Sequence, residues 1–347
     1  MIKKLSLSLA LLILVAVIVR VGNVSAQTAG NNLNLTISPS LLDLTTTPGG
    51  KLQERIRVRN NSTSPLNLSV QVSKLTVGDD GQPTPAQPSD TDSFLSWLKF
   101  DNQKFTAQPN EWTDVNFTIT TPPDSAYGYY YLLRISPDLS AASTTNSATV
   151  QGELAVPILL TVQKDGAIAQ AKLLDFKTDN FISQYLPVNF SVKMANSGNI
   201  HIRPKGNIFI SGQGVKQLGT IDVNFEEGTI IPGATRTFQA SWDDGFLVRQ
   251  PVMENGTAKI ENGKPVTKLA VNWDKLTHFR IGPYTANLVM VFDDGKRDVV
   301  LEKAVTFWVI PYKIIAGIIV TVVILFFVIR WLLKRYVRSQ ISKNKIS

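Results

Sequence analysis

The sequence predicts an all-β body of two tandem β-sandwiches, preceded by a secretory signal and followed by one membrane-spanning helix. Three observations predict it. Apolar and polar residues alternate with a period of two through the middle of the chain, the mark of strands with one buried face. Apolar runs stand at both ends, with the flanks of an export signal and an anchor. Cysteine is absent, so the folded part must hold by packing without a disulfide framework.

At the N-terminus, Lys3 and Lys4 precede an apolar run over 5–19, and Val24-Ser25-Ala26 closes it as a small-residue cleavage site. Residues 1–26 are therefore expected to be removed, with cleavage between Ala26 and Gln27; an uncleaved anchor is the alternative. The 347 residues leave room for about two domains. The first sandwich is expected over 27–163. In it Leu66, Leu68, Val70 and Val72 alternate with Asn67, Ser69 and Gln71, and Val115, Phe117 and Ile119 alternate with Asn116 and Thr118. Residues 78–91, polar and rich in proline, read as a loop. After them Phe94, Trp97 and Leu98 are spaced for one face of a short helix.

The second sandwich is expected over 164–308. Val188, Phe190, Val192 and Met194 alternate with polar residues, as do Phe238, Ala240 and Trp242. Residues 246–280 interrupt this plan, as an inserted hairpin or a mobile loop. The order of features suggests duplication. Arg59-Asn60-Asn61-Ser62 matches Asn196-Ser197-Gly198-Asn199, and a proline-led turn at Pro109 or Pro232 precedes a later strand in each half.

The second apolar run, over 309–333, carries no charge between 314 and 329. As a helix it would be about 37 Å long, enough to cross a hydrocarbon core of about 30 Å. Trp308 and Tyr312 on one side and Trp331 and Tyr336 on the other are placed as membrane-interface anchors. The tail, 334–347, is basic, and no acidic residue follows Glu302. Basic flanks stay in the cytoplasm, so a single-pass plasma-membrane protein is expected, with its sandwiches extracellular. A buried core helix is the alternative.

Charge excludes one class of function. Of 35 Lys and Arg, ten lie in the leader and the C-terminal segment, leaving 25 against 27 Asp and Glu in the middle. A surface that binds nucleic acid needs its cations on the folded body, so no nucleic-acid partner is expected.

Catalytic constellations are scarce. Two histidines, His201 and His278, and no cysteine make a metal site thinly supported; no catalytic, metal or cofactor-binding residue is expected. His201, with Arg203 and Lys205, follows turn chemistry at 196–199 and is expected on the polar face of a strand. Asp-Asp-Gly recurs at 79–81, 243–245 and 293–295; each fits a turn better than a calcium site. A pair of carboxylates serving a glycosidase is the enzymatic alternative. The candidate ligand face lies in 129–135. If Tyr129, Tyr131, Leu133 and Ile135 face the core, Tyr130 and Arg134 offer a ring and a guanidinium on the other side.

The runs ISPSLLDLTTTPGGKLQERIRVRNNSTSPLNLSVQV (37–72) and NEWTDVNFTITTPPDSAYGYYYLLRIS (110–136) resemble the N-terminal domain of the WxL-interacting proteins. MANSGNIHIRPKGNIFI, IIPGATRTFQASW and FWVIPYK are similar in plan to the later part of such proteins. The resemblance implies a Gram-positive surface protein with two immunoglobulin-like domains, the first binding peptidoglycan and the second binding other proteins. It marks no single residue as a contact, and 246–280 departs from the family's simple plan. The first domain is also similar to pilus-chaperone-like sandwiches, whose edge strands accept a partner strand. The expected function is a membrane-anchored binding or adhesion protein that contacts cell-wall polymer or other surface proteins, and no enzyme. An assembly chaperone or structural subunit of an envelope complex is the alternative.

Overall fold

A computed structural model describes residues 34–87, 89, 92–138, 152–254 and 256–344. The expected signal segment, with Ala26 and Gln27, lies outside the described residues, as does the side chain of Tyr336. Two immunoglobulin-like β-sandwiches are followed by one long apolar helix.

The first sandwich runs through β1 (Leu35–Ser38), β2 (Leu42–Thr46), β3 (Lys51–Asn60), β4 (Leu66–Val77), β5 (Pro83–Ala86), β6 (Leu98–Phe100), β7 (Lys104–Ala107), β8 (Trp112–Thr120), β9 (Tyr127–Pro137) and β10 (Leu154–Val162). One sheet has the order β1-β3-β8-β6; the other has β2-β10-β9-β4-β5, with β7 also on β4. Alternation dictates the core. Ile56, Val58, Val115, Phe117 and Ile119 from the first sheet meet Leu68, Val70, Tyr131, Leu133, Ile135, Val156 and Ile158 from the second, all buried. Each such side chain contributes roughly 1.5–3 kcal/mol when taken out of water.

The second sandwich comprises β11 (Ala171–Thr178), β12 (Ile182–Ser183), β13 (Val188–Asn196), β14 (Lys205–Gly212), β15 (Val215–Val223) and β16 (Thr235–Trp242). An arm of short strands follows: β17 (Leu247–Pro251), β18 (Met253–Glu254), β19 (Thr257–Ala258), β20 (Ile260–Glu261), β21 (Lys264–Pro265) and β22 (Thr267–Val271). The sandwich is completed by β23 (Gly282–Asp293) and β24 (Asp298–Val309). Its sheets are β11-β13-β16 and β12-β24-β23-β14-β15. Aromatic rings pack its core: Trp242 lies 5.1 Å from Tyr284 and 5.9 Å from Phe307, edge-on in both cases.

The structure corrects several expected elements. Residues 78–91 are not all loop, because β5 pairs with the end of β4; an edge strand accepts Pro83 and Pro85, whose missing N–H groups need not join a ladder. The expected helix near residue 93 is a 3-10 turn, Ser93–Trp97, which gives way to β6. Buried Asp92 holds its start: Lys74 Nζ and the Ser89 N–H both donate to it at 2.8 Å, and with the Ser89 hydroxyl they bring its carboxyl down to about 2. His201 lies before, not within, the next strand; Ile202 forms only an isolated bridge with Ile230, and β14 begins at Lys205. Residues 246–280 form the arm of hairpins based on β17–β22.

The helix, α1 (Tyr312–Asn344), begins later than position 309. Val309 still pairs with Gly282 in the sheet, and the first helical bond runs from Ile315 N–H to the Pro311 carbonyl at 3.1 Å. It also continues into the segment expected as a separate tail. Its stretch Tyr312–Arg335 is long and apolar enough to cross a membrane, with none of that stretch buried against the sandwiches.

The duplication is visible in two buried asparagines, Asn60 and Asn196, 0% and 2% exposed. Asn60 Nδ2 donates to Ser64 O (2.8 Å) and Ala107 O (2.9 Å), and its Oδ1 accepts from Ser62 N–H (2.9 Å). Asn196 Nδ2 donates to Ile200 O and Ile230 O, and its Oδ1 accepts from Gly198 N–H, each at 2.8 Å. The local sequence offsets, two residues to the N–H and four to the first carbonyl, are the same in both. Their main-chain carbonyls accept from Asn110 and Gly233 in turn, residues with φ of 59° and 74° that follow Pro109 and Pro232.

Replacing Asn60 or Asn196 by alanine orphans buried carbonyls and an N–H at the strand end. Each change is expected to lower stability by about 2–3 kcal/mol, read as a shifted urea midpoint; a shift within error at either position would show that the repeat is decorative.

Candidate functional site

Strand β9 presents apolar residues on both faces. Tyr131, Leu133 and Ile135 enter the first core, while Tyr130 and Leu132 point outward and are buried all the same. With Leu75 and Leu159 they form a second cluster, and Ile231 of the other sandwich closes it. The outer face of one sheet is thus the floor on which the second sandwich sits.

Polar contacts fix how it sits. From β2, Asp43 accepts from Arg203 Nη2 at 2.7 Å and faces His201 Nε2 at 3.4 Å. The His201 side chain is 10% exposed, and its ring stands edge-on to Tyr130 at 6.0 Å. From the turn between β4 and β5, Asp79 accepts from Lys193 Nζ at 2.7 Å and from the Thr235 hydroxyl; its carbonyl accepts from Thr237 N–H at 2.8 Å. Gly128 N–H donates to Asn199 O at 3.1 Å. Burial raises the Asp43 pKa, but hydrogen bonds and charge from His201 and Arg203 outweigh it and hold the carboxyl below its usual range. Hydrogen bonds from Lys193 and Thr235 do the same for Asp79.

Beside this seam lies a groove of about 190 Å³, lined from the first sandwich by Leu41, Leu75, Val77, Pro157 and Leu159 and from the second by Glu226, Thr229, Ile231 and Arg236. The Arg236 guanidinium forms its wall. It packs against Gly81 and Gly228 so closely that a Cβ on either would come within about 2.5 Å of it, and its Nη1 donates to Thr229 O at 3.1 Å. Pro157 belongs to β10, and β10 is only partly covered. Strand β2 pairs with Ile158–Val162 in parallel; among the described residues, no strand pairs with the outer side of residues 154–157. The groove therefore opens beside unpaired main chain.

The candidate face at Tyr130 and Arg134 is corrected by this geometry. Tyr130 is 9% exposed beneath the second sandwich, and burial pushes its hydroxyl pKa up. Arg134 is gripped in bidentate fashion by Glu153, with Nη2 to Oε2 at 2.7 Å. The two histidines stand at different places and face different aspartates: His201 faces Asp43, and His278 faces Asp244 at 2.9 Å. Among the described residues, no group of three or more His, Cys, Asp or Glu is placed to hold a metal. Of the interface anchors, Trp308 lies in β24 and is 37% exposed, Tyr312 opens α1 and accepts from Gln184 Nε2 at 2.9 Å, and Trp331 lies exposed along α1. Sequence reasoning missed the reach of Asp43 and Asp79, because an Asp in a strand or turn carries no local sign of a partner 158 or 156 residues away.

The sequence matches no family model and no curated protein. Among solved structures, the chain is similar to the class 5 fimbriae chaperone CfaA, at 12% identity over 78% of this chain and 99% of that one, with a TM-score of 0.37. It is similar to the YadV chaperone at 10% identity over 79% and 99%, TM-score 0.35, and to the Pseudomonas aeruginosa CupB2 chaperone at 11% identity over 78% and 100%, TM-score 0.35. No function is drawn from likenesses this distant.

Because the Asp43 pKa is depressed in the fold, its contribution to the seam is complete above the unfolded value of about 3.9 and is lost as pH falls through the folded one. Amide protection factors at Gly128 and Thr237, whose N–H groups donate across the seam, are expected to hold above about pH 4 and fall below it. Asp43→Asn should lower them at neutral pH, by about 1 kcal/mol given the partial exposure of the pair. Unchanged protection in the variant would remove Asp43 from the account.

Proposed function

We propose that the protein is a membrane-tethered assembly chaperone or structural subunit of an envelope complex, which holds an extended segment of a partner protein between its two sandwiches. The observation that carries this reading is the edge of β10, unpaired among the described residues, beside an apolar groove. An open edge offers main-chain hydrogen bonds to any extended chain, while pockets beside it select alternate side chains. Residues 154–157 supply the edge, and Leu41, Val77, Pro157 and Leu159 supply the apolar surface next to it. The fixed seam supports the reading, since a preformed groove loses less entropy on binding than a hinged one.

In this reading α1 crosses the plasma membrane. Arg330, Lys334, Arg335 and Arg338, which follow the apolar run, keep its far end in the cytoplasm, and the sandwiches lie outside. Wall polymer as the ligand leans on the family resemblance alone. The proposal assigns binding and no turnover.

Photo-reactive residues at positions 155 and 157 of the full-length protein, activated in the producing cell, test the proposal. The expected products join one partner protein at sites two residues apart, as a strand laid along β10 requires. Ala155→Pro should reduce the yield at 157 several-fold. Products scattered over unrelated sites, or an equal yield from a probe at exposed Glu111, would sink the idea.

A further inference from the structure

At the far end of β24 the second sandwich carries a patch of apolar side chains that its core does not use. Phe181 is 61% exposed and Trp273 is 74% exposed; Ile182, Leu276, Phe279 and Ile281 are each between 46% and 54% exposed. They come from two separate segments, and both meet the chain where it leaves the sheet for α1. In β12, Ile182 pairs with Trp308, the Phe181 carbonyl accepts from Trp308 N–H and the Ser183 carbonyl accepts from Ile310 N–H, both at 2.8 Å. The return of the arm brings Phe279 and Ile281 to line one small pocket with Val309 and Pro311. Phe246 links this return to Trp273, with its ring 4.7 Å from Phe279 and 5.8 Å from Trp273.

The patch is held in place. Asp244 accepts from Arg280 Nη2 at 2.6 Å, faces His278 Nδ1 at 2.9 Å and pairs with Lys275 Nζ at 3.1 Å. Three side chains of one short segment, 275–280, are thereby gathered on a single carboxylate, so the apolar side chains between them are presented rather than left to collapse inward.

Distance says what would cover them. Only Ile310 and Pro311 stand between Val309 and Tyr312, three residue steps or about 10 Å of extended chain at most, so groups bonded to Trp308 and Ile310 stand within about that distance of the helix entrance. The 24 residues of Tyr312–Arg335 span about 36 Å as a helix, slightly more than a hydrocarbon core of about 30 Å. The first turn of α1 would then sit at the headgroup level, and the patch beside it. Tryptophan and phenylalanine next to cationic side chains are the residues that partition into that layer, and Lys275, Arg280 and Lys313 are at hand.

We infer that this patch, carried by residues 181–182 and 273–281, is a foot that inserts into the interface of the bilayer that receives α1 and fixes the sandwiches' tilt on the membrane. The inference rests on the membrane-spanning role given to α1 under the proposed function. It leaves the groove free and accounts for the arm at 246–280, whose return strand delivers the second half of the foot.

The absence of cysteine makes the test direct. Single cysteines at exposed Asn180 and Thr277, which leave the foot's own side chains in place, at Phe326 within α1, and at exposed Lys51 of the first sandwich are labelled with an environment-sensitive fluorophore. The full chain is then reconstituted in phosphatidylcholine–phosphatidylglycerol vesicles. Labels at 180 and 277 are expected to be quenched by a headgroup-proximal spin-labelled lipid and shielded from iodide, with the reverse at 51. Replacing Phe181, Trp273 and Phe279 together by serine should restore iodide quenching at 277 while leaving 326 in lipid. If 326 is quenched by lipid but 180 and 277 respond to iodide as 51 does, α1 is embedded and the foot is wrong. Shielding of 180 and 277 from both quenchers means that protein covers the patch, and also overturns it. A label at 326 that lipid does not quench overturns the membrane-spanning role and the foot with it.

Discussion

The burial of both faces of β9 governs the architecture. A sheet in an antiparallel sandwich commonly keeps one face wet. Here the inner face of β9 gives Tyr131, Leu133 and Ile135 to the first core, and the outer face gives Tyr130 and Leu132 to a cluster closed by Ile231 of the second sandwich. Burial of these outer side chains, at roughly 1.5–3 kcal/mol each, is the main force holding the sandwiches together. The ion pairs at Asp43 and Asp79 are partly or fully open to solvent, where such pairs add little to stability. Their part is register: they decide which way the second sandwich faces once the apolar surfaces have brought it near.

That register has consequences at two places. It sets Leu159 and Pro157 of β10 opposite Glu226 and Arg236, so the groove exists only while the sandwiches stay docked. Among the described residues it also leaves the outer side of β10 without a strand partner before Ile158, where the pairing with β2 begins. The membrane end depends on a different constraint. There, β24 runs straight from a buried sheet into α1 with only Ile310 and Pro311 between, so the second sandwich cannot move far from the helix entrance. One domain is tied to the helix, the other is tied to that domain, and the groove between them is held at a set place above the helix.

Much of this was legible residue by residue. Strands appeared where alternation was strict, because a period of two can bury only one face of an extended chain. The paired positions of Asn60 and Asn196, and of Pro109 and Pro232, showed in the order of turn residues, since a positive φ and a strand end leave the same signature twice. The strand β5 was not legible: two prolines in four residues argue against a ladder unless the strand is known to lie at an edge. His201 was read as polar and surface-facing because its neighbours Ile200 and Ile202 alternate around it; that it closes on an aspartate 158 positions earlier has no local mark. Tyr130 failed in the same way. Its face was correctly separated from that of Tyr131, but whether a separated face meets solvent or another domain is not written in the strand that carries it.

The sequence by itself determined which strictly alternating segments would form strands, that packing would have to hold the fold where disulfides could not, and that one apolar helix would follow the second sandwich. Those are consequences of periodicity and composition, which act over a few residues. Only the tertiary structure decided that Tyr130 is an internal contact, that Arg236 and Leu159 share a groove, and that Phe181 and Phe279 emerge beside the same helix entrance. Each of these joins residues far apart in the chain, and their meeting depends on how two folded surfaces dock, a shape that no stretch of sequence holds alone.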